Sequence, residues 1–149
     1  ISIISCIGFF IIGIINHDLY SCTLSCITIG SCLGFLQYNK HPAIILMGDG
    51  GSYFLGFILS YLGIISHFYS SGNYIPTLFF GTIFFVLLFL GDMIYVIFRR
   101  IISGKSPFSP DRNHLHHRLL RLGFNHKNTV YLIYLINLIF VFIGILISL

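Results

Sequence analysis

The sequence predicts an all-α fold, a polytopic transmembrane helical bundle of about five spans with a short amphipathic helix at the membrane interface. Three observations carry that prediction. Of the 149 residues, 56% are hydrophobic and 8% are charged, with eight Lys/Arg, four Asp and no Glu, and mean hydropathy is +0.95. A soluble domain carries about 25% charged residues to hold its surface in water. The apolar residues fall in long runs without sustained strand alternation, and the chain accommodates roughly five helices of about 20 residues plus loops. All eight basic residues lie in alternate loops. This composition excludes a soluble globular domain, a disordered chain and a coiled coil.

The first apolar segment covers residues 1–15, about 22 Å of helix and short for a span. The chain starts inside it with no charged stretch ahead, so no signal peptide is expected. The second covers 20–38 and places Cys22, Cys26, Gly30 and Gly34 at every fourth position. That stripe ends in GxxxG and is expected to be a close helix–helix contact. The third, fourth and fifth cover 52–69, 76–98 and 129–149. Cys6, Cys22, Cys26 and Cys32 lie in apolar stretches with no CxxC pair, which suits small residues at helix contacts better than a disulfide or metal framework.

Five spans leave two sets of loops. Residues 16–19 and 70–75 hold no Lys or Arg, whereas 39–51 and 99–128 hold Lys40, Arg99, Arg100, Lys105, Arg112, Arg118, Arg121 and Lys127. By the positive-inside rule the second set is cytoplasmic. The +4 net charge therefore sits at a membrane face, and no nucleic-acid partner is expected.

Candidate chemistry concentrates in these two loops. The run Met47-Gly48-Asp49-Gly50-Gly51-Ser52 places a carboxylate among glycines where the third segment starts. Asp49 there either holds Mg2+ against phosphate oxygens or simply caps the helix; GxxxxGK is absent, so this is not a P-loop. Asp92 lies about 10 Å inside the charged end of the fourth segment, counted back from Arg99. An ionisable group at that depth is either functional or paired with a snorkelling Arg99.

The second charged loop is the richest stretch. Ser109 can cap a helix with Pro110 and Asp111 in its first turn, and Gly123 can stop it. Leu115, Leu119 and Leu122 form one stripe, and His114, His117, Arg118 and Arg121 another, with His116 rotated away. A His/Arg face suits a nucleotide diphosphate through imidazole donors and bidentate guanidinium groups. Anionic lipid headgroups are a second occupant, and a zinc site a third, although HExxH is absent. His17, His41, His67 and His126 read as interfacial polar residues.

These residues carry a resemblance. The pattern Tyr38-Asn39, Pro42-Ala43, Met47 to Ser52 and Gly56-Phe57 is similar to the third aspartate motif of the polyprenyl-phosphate N-acetylhexosamine-1-phosphate transferases, glycosyltransferase family 4. Asp92, Arg99-Arg100 and Ser-Pro-Phe-Ser-Pro-Asp-Arg-Asn-His-Leu-His-His-Arg-Leu (106–119) resemble the late cytoplasmic loop of its WecA-type branch. The resemblance implies Mg2+-dependent transfer of a sugar-1-phosphate, with GlcNAc implied by the branch, from a UDP-sugar to undecaprenyl phosphate. The resemblance implies too that UMP is released and that this step begins cell-envelope polysaccharide synthesis.

It also implies a multi-pass protein of the bacterial plasma membrane with its site on the cytoplasmic side, and leaves homodimerisation open. Asp49 matches the metal-binding or catalytic aspartate; Asp111, Arg112, His114, His116 and His117 match the nucleotide-sugar loop, beside Arg118. The family's paired-aspartate and Asn/Asp-Gly-rich motifs are not present. Residues 1–149 are thus expected to be the C-terminal part of one transferase domain, inactive alone. The rival expectation is a non-catalytic membrane module that binds anionic lipid or partner subunits through its basic loop.

Overall fold

A computed structural model of the chain describes residues 1–68, 76–104, 106 and 114–149. Among the described residues there are six α-helices and no strand: α1 (Ser2–Ile15), α2 (Leu19–Asn39), α3 (Gly48–Phe68), α4 (Pro76–Ile102), α5 (Leu115–Arg121) and α6 (His126–Ser148). The fold is a helical membrane bundle with α5 as its short extra helix. By length and composition α2, α4 and α6 are able to cross a membrane. The first helix has 14 residues, about 21 Å against a hydrocarbon core of about 30 Å.

Each boundary has a local cause. Asp18 accepts from the backbone N–H groups of Tyr20 and Ser21 at 3.0 and 3.2 Å and from the Ser21 hydroxyl, so it satisfies the otherwise free donors that start α2. Asn125 does the same for α6, accepting from Lys127 and Asn128. The third helix begins at Gly48, four residues ahead of its expected start, because the Gly-Asp-Gly-Gly run continues into the helix instead of forming a loop.

Packing places α1 at the centre, against α2, α3, α4 and α6. Phe9 and Phe85 are fully buried and meet edge-to-face with centroids 4.9 Å apart. Around them pack Cys6, Ile12, Ile58, Leu62, Leu78 and Val141. Polar side chains tie the same helices together: Ser5 Oγ donates to the Phe85 carbonyl at 2.6 Å, and Asn137 Nδ2 donates to the Ile1 carbonyl at 3.2 Å. Each such interhelical bond within a bilayer is worth about 1 kcal/mol. Outward-facing residues include Phe54, Phe57, Leu135 and Phe142, each more than half exposed, as a lipid-facing surface allows.

The small-residue stripe of α2 does not make the expected contact. A Cβ added at Gly30 or Gly34 meets nothing within 4 Å; of that stripe, Cys22 approaches Gly13. The face of α2 that packs carries Ser21, Ser25 and Thr28. The closest helix approach is instead between α4 and α6, where a Cβ on Gly144 falls 2.5 Å from the Gly81 carbonyl and one on Gly81 falls 2.6 Å from the Gly144 carbonyl.

Candidate functional site

The helices bring several sequence-predicted residues to one end of the bundle. His114 has non-helical geometry (φ −57°, ψ 157°), so α5 begins at Leu115 and not in the turn after Ser109; that turn, with Asp111 and Arg112, falls outside the described residues. At its other end, Gly123 adopts φ +91°, a conformation open to glycine. The Gly123 and Phe124 N–H groups donate back to Leu120 and Leu119. This closes the helix in a Schellman turn, and Asn125 then starts α6.

The other end of α5 is held by α4. Asp92 Oδ2 lies 3.0 Å from His114 Nδ1, and Oδ1 accepts from the Leu115 N–H at 2.7 Å. The partner of Asp92 is therefore the start of α5, and not Arg99, which lines a separate groove with Tyr95, Phe98 and Ile102. One turn along α4 from Asp92, Tyr95 lies under the Arg118 guanidinium, 4.2 Å from the ring centroid. That stacking leaves the planar N–H edge free for an anion.

His116 and His117 of α5 cluster with His114, which immediately precedes it. The rings of His116 and His117 are 4.0 Å apart, and those of His114 and His116 lie parallel at 6.2 Å. His116 was expected off this face; it joins because His114 precedes the helix and so escapes helical spacing. A cavity of about 190 Å³ runs beside them, lined by Leu88, Asp92, Met93, His114, Leu115 and His116 among others. Among the described residues no three His, Cys, Asp or Glu side chains converge to hold a metal ion, as a zinc site would require.

Asp49 is exposed in the first turn of α3. The helix starts one residue before it, so Asp49 is not the N-cap. Its backbone carbonyl accepts from Ser52 Oγ at 2.9 Å, and no described side chain or backbone donor engages its carboxylate. The α2–α3 loop reaches the same end of the bundle as α5, since His41 and His126 approach to 6.1 Å between ring centroids.

Residues 1–67 match the family model described as glycosyl transferase family 4. A Bacillus subtilis protein named "Probable undecaprenyl-phosphate N-acetylglucosaminyl 1-phosphate transferase" is 43% identical over 121 residues, covering 79% of this chain and 32% of the relative. The chain belongs to glycosyl transferase family 4. A Mycobacterium leprae decaprenyl-phosphate N-acetylglucosaminephosphotransferase is 41% identical over 75% of this chain and 30% of its own length. A Haemophilus influenzae undecaprenyl-phosphate alpha-N-acetylglucosaminyl 1-phosphate transferase is 31% identical over 96% of this chain and 42% of its own. The family-4 chain thus spans about a third of the length of the first curated relatives it matches. No solved structure matches it.

Sequence reasoning missed Tyr95 and the docking role of Asp92 in this family-4 chain. A signal was present: Asp92 and Tyr95 share a face of α4 at i, i+3, and their partners Leu115 and Arg118 share a face of α5 at the same spacing.

Burial pushes the His116 imidazole below its ordinary value of 6.5; the nearby His117 and His114 act in the same sense, and Asp92 opposes them. The folded state therefore favours neutral His116. Its contribution to stability is present above the unfolded value and is lost as pH falls below that value towards the folded one. An NMR titration should place His116 below 6.5, and His117→Ala should raise its midpoint. A midpoint at or above 6.5 would contradict the net downward direction set by burial and the neighbouring imidazoles.

Proposed function

We propose that this chain forms the nucleotide-sugar face of a polyprenyl-phosphate GlcNAc-1-phosphate transferase. The observation that carries the proposal is the docking of α5, with its three imidazoles and Arg118, onto the end of the apolar helix α4 through Asp92 and Tyr95. A water-soluble dianion and a membrane lipid can meet only at such a boundary. In the reaction, an oxygen of undecaprenyl phosphate attacks the β-phosphorus of UDP-GlcNAc. The bond from that phosphorus to the bridging oxygen breaks, UMP leaves with the electron pair, and the sugar keeps its phosphate in a new lipid diphosphate.

The chain's own residues supply binding and charge. Arg118, held flat on Tyr95, offers N–H donors to the diphosphate. Neutral His116 donates or accepts without adding charge, and His117 lies against it. Arg112 and Asp111 are assigned to the same loop by the family motif. Asp49 would hold Mg2+, and its exposed, unengaged carboxylate suits an ion that takes one or two carboxylates and completes its shell with waters and phosphate oxygens. The metal supplies positive charge to the reacting diphosphate. Asp92 is not a ligand in this scheme, since both of its oxygens are engaged.

The site faces the cytoplasm of a bacterial plasma membrane in this proposal, on the strength of the one-sided Lys/Arg distribution. Membrane vesicles containing the full-length enzyme test the activity and its sidedness together, because UDP-GlcNAc does not cross a bilayer. Inside-out vesicles given UDP-GlcNAc, undecaprenyl phosphate and Mg2+ should release UMP, and sealed right-side-out vesicles should not. No UMP from either preparation would overturn the activity, and the opposite pattern the orientation.

A further inference from the structure

Asp92 spends both carboxylate oxygens on a helix that follows it by more than twenty residues. The first consequence is mechanical. His114 is the N-cap of α5 and makes no side-chain capping bond, so the Leu115 N–H, one of the free donors at a helix start, takes its acceptor from α4. The start of α5 is thus fixed from α4, while its far end closes on its own carbonyls in the Schellman turn, ahead of the Asn125 cap that starts α6.

The second consequence is chemical. An ionised carboxylate only accepts hydrogen bonds, so the 3.0 Å contact requires the proton on His114 Nδ1. In the neutral ring Nε2 then carries the lone pair, ready to take a proton or a hydrogen bond. A carboxylate that sets the tautomer of a working imidazole is a general device.

We propose that Asp92 is a positioning residue: it docks α5 on α4 and fixes His114 as the Nδ1–H tautomer, so that Nε2 is the ring atom offered to the nucleotide sugar. The substrate in this statement rests on the transferase reading above; the tautomer does not.

Asp92→Asn separates the two consequences. The amide oxygen still accepts from the Leu115 N–H, but the amide NH2 now faces Nδ1 and drives the ring proton to Nε2. In full-length enzyme with 15N-labelled histidine, the His114 signals, assigned by their loss in His114→Ala, should show a protonated Nδ1 and an unprotonated Nε2. Asp92→Asn should reverse them. The variant should retain its melting temperature and lose about tenfold or more in kcat/KM for UDP-GlcNAc, and combining it with His114→Ala should cost nothing beyond His114→Ala alone.

A His114 in the Nε2–H form in the unsubstituted enzyme would overturn the proposal, and that measurement needs no variant to fold. So would an Asp92→Asn enzyme with normal kcat/KM, or losses that multiply in the double variant. An unsubstituted enzyme without transferase activity would instead remove the substrate reading and leave the tautomer to be decided by the 15N signals.

Discussion

Asp49→Asn in the full-length enzyme is expected to lower turnover by at least about a hundredfold, equal to about 2.7 kcal/mol of transition-state stabilisation. The substitution keeps the side chain's shape and one carbonyl oxygen but removes the charge that would hold Mg2+. Its structural cost is small. Asp49 lies exposed in the first turn of α3 and does not serve as the cap, so folding loses only the favourable placement of a negative charge near a helix N-terminus. That is about 0.3–1 kcal/mol at an exposed position. Turnover and melting temperature measured on the same preparation check both parts. Near-normal turnover would show that the carboxylate serves the helix and not the metal.

Gly144→Ala should be, with Gly81→Ala, among the most damaging single methyls in the bundle. Its Cβ would sit 2.5 Å from the Gly81 carbonyl oxygen and 2.6 Å from Phe85 Cε1. The first of these is backbone, which cannot swing aside as the end of a flexible side chain can. The helices α4 and α6 must part, and Phe85, fully buried against Phe9 and Gly8, loses its seat. Overpacking of this kind costs about 1–3 kcal/mol and sometimes more. A clear drop in the thermal midpoint of the full-length enzyme in detergent is expected. An unchanged midpoint would mean that the two helices do not cross at these glycines.

The five apolar segments were legible because each is a run of hydrophobic residues ended by charges or by Gly and Pro, and a membrane demands little more of a sequence. Their ends were less legible. Gly48-Asp49-Gly50-Gly51 has the composition of a loop, yet it enters α3 because propensity is a weak prior against the rest of a long helix. The repeated pattern on α2 was the conspicuous packing signal, yet its GxxxG end meets nothing, and the stripe touches α1 at Cys22 instead. The true close approach uses one glycine from α4 and one from α6, and a single pair leaves no periodic trace.

At the site, His114, His116, His117 and Arg118 could be chosen from residue type and spacing. Their arrangement could not, since it follows from where α5 begins. Helical spacing counted from Ser109 sets His116 apart, whereas a helix that begins after His114 brings the three rings together. The engagement of Asp92 was equally hidden. Its nearest basic candidate along the helix was Arg99, and only the docking of α5 on α4 shows that the carboxylate belongs to another element.

The sugar is expected to move together with the β-phosphate. Full-length enzyme supplied with undecaprenyl phosphate, Mg2+ and UDP-GlcNAc radiolabelled at the β-phosphorus tests it directly. Label should enter the lipid phase in step with UMP formation, one phosphorus for each UMP. Label that stays in the aqueous phase as UDP while the sugar alone reaches the lipid would contradict it.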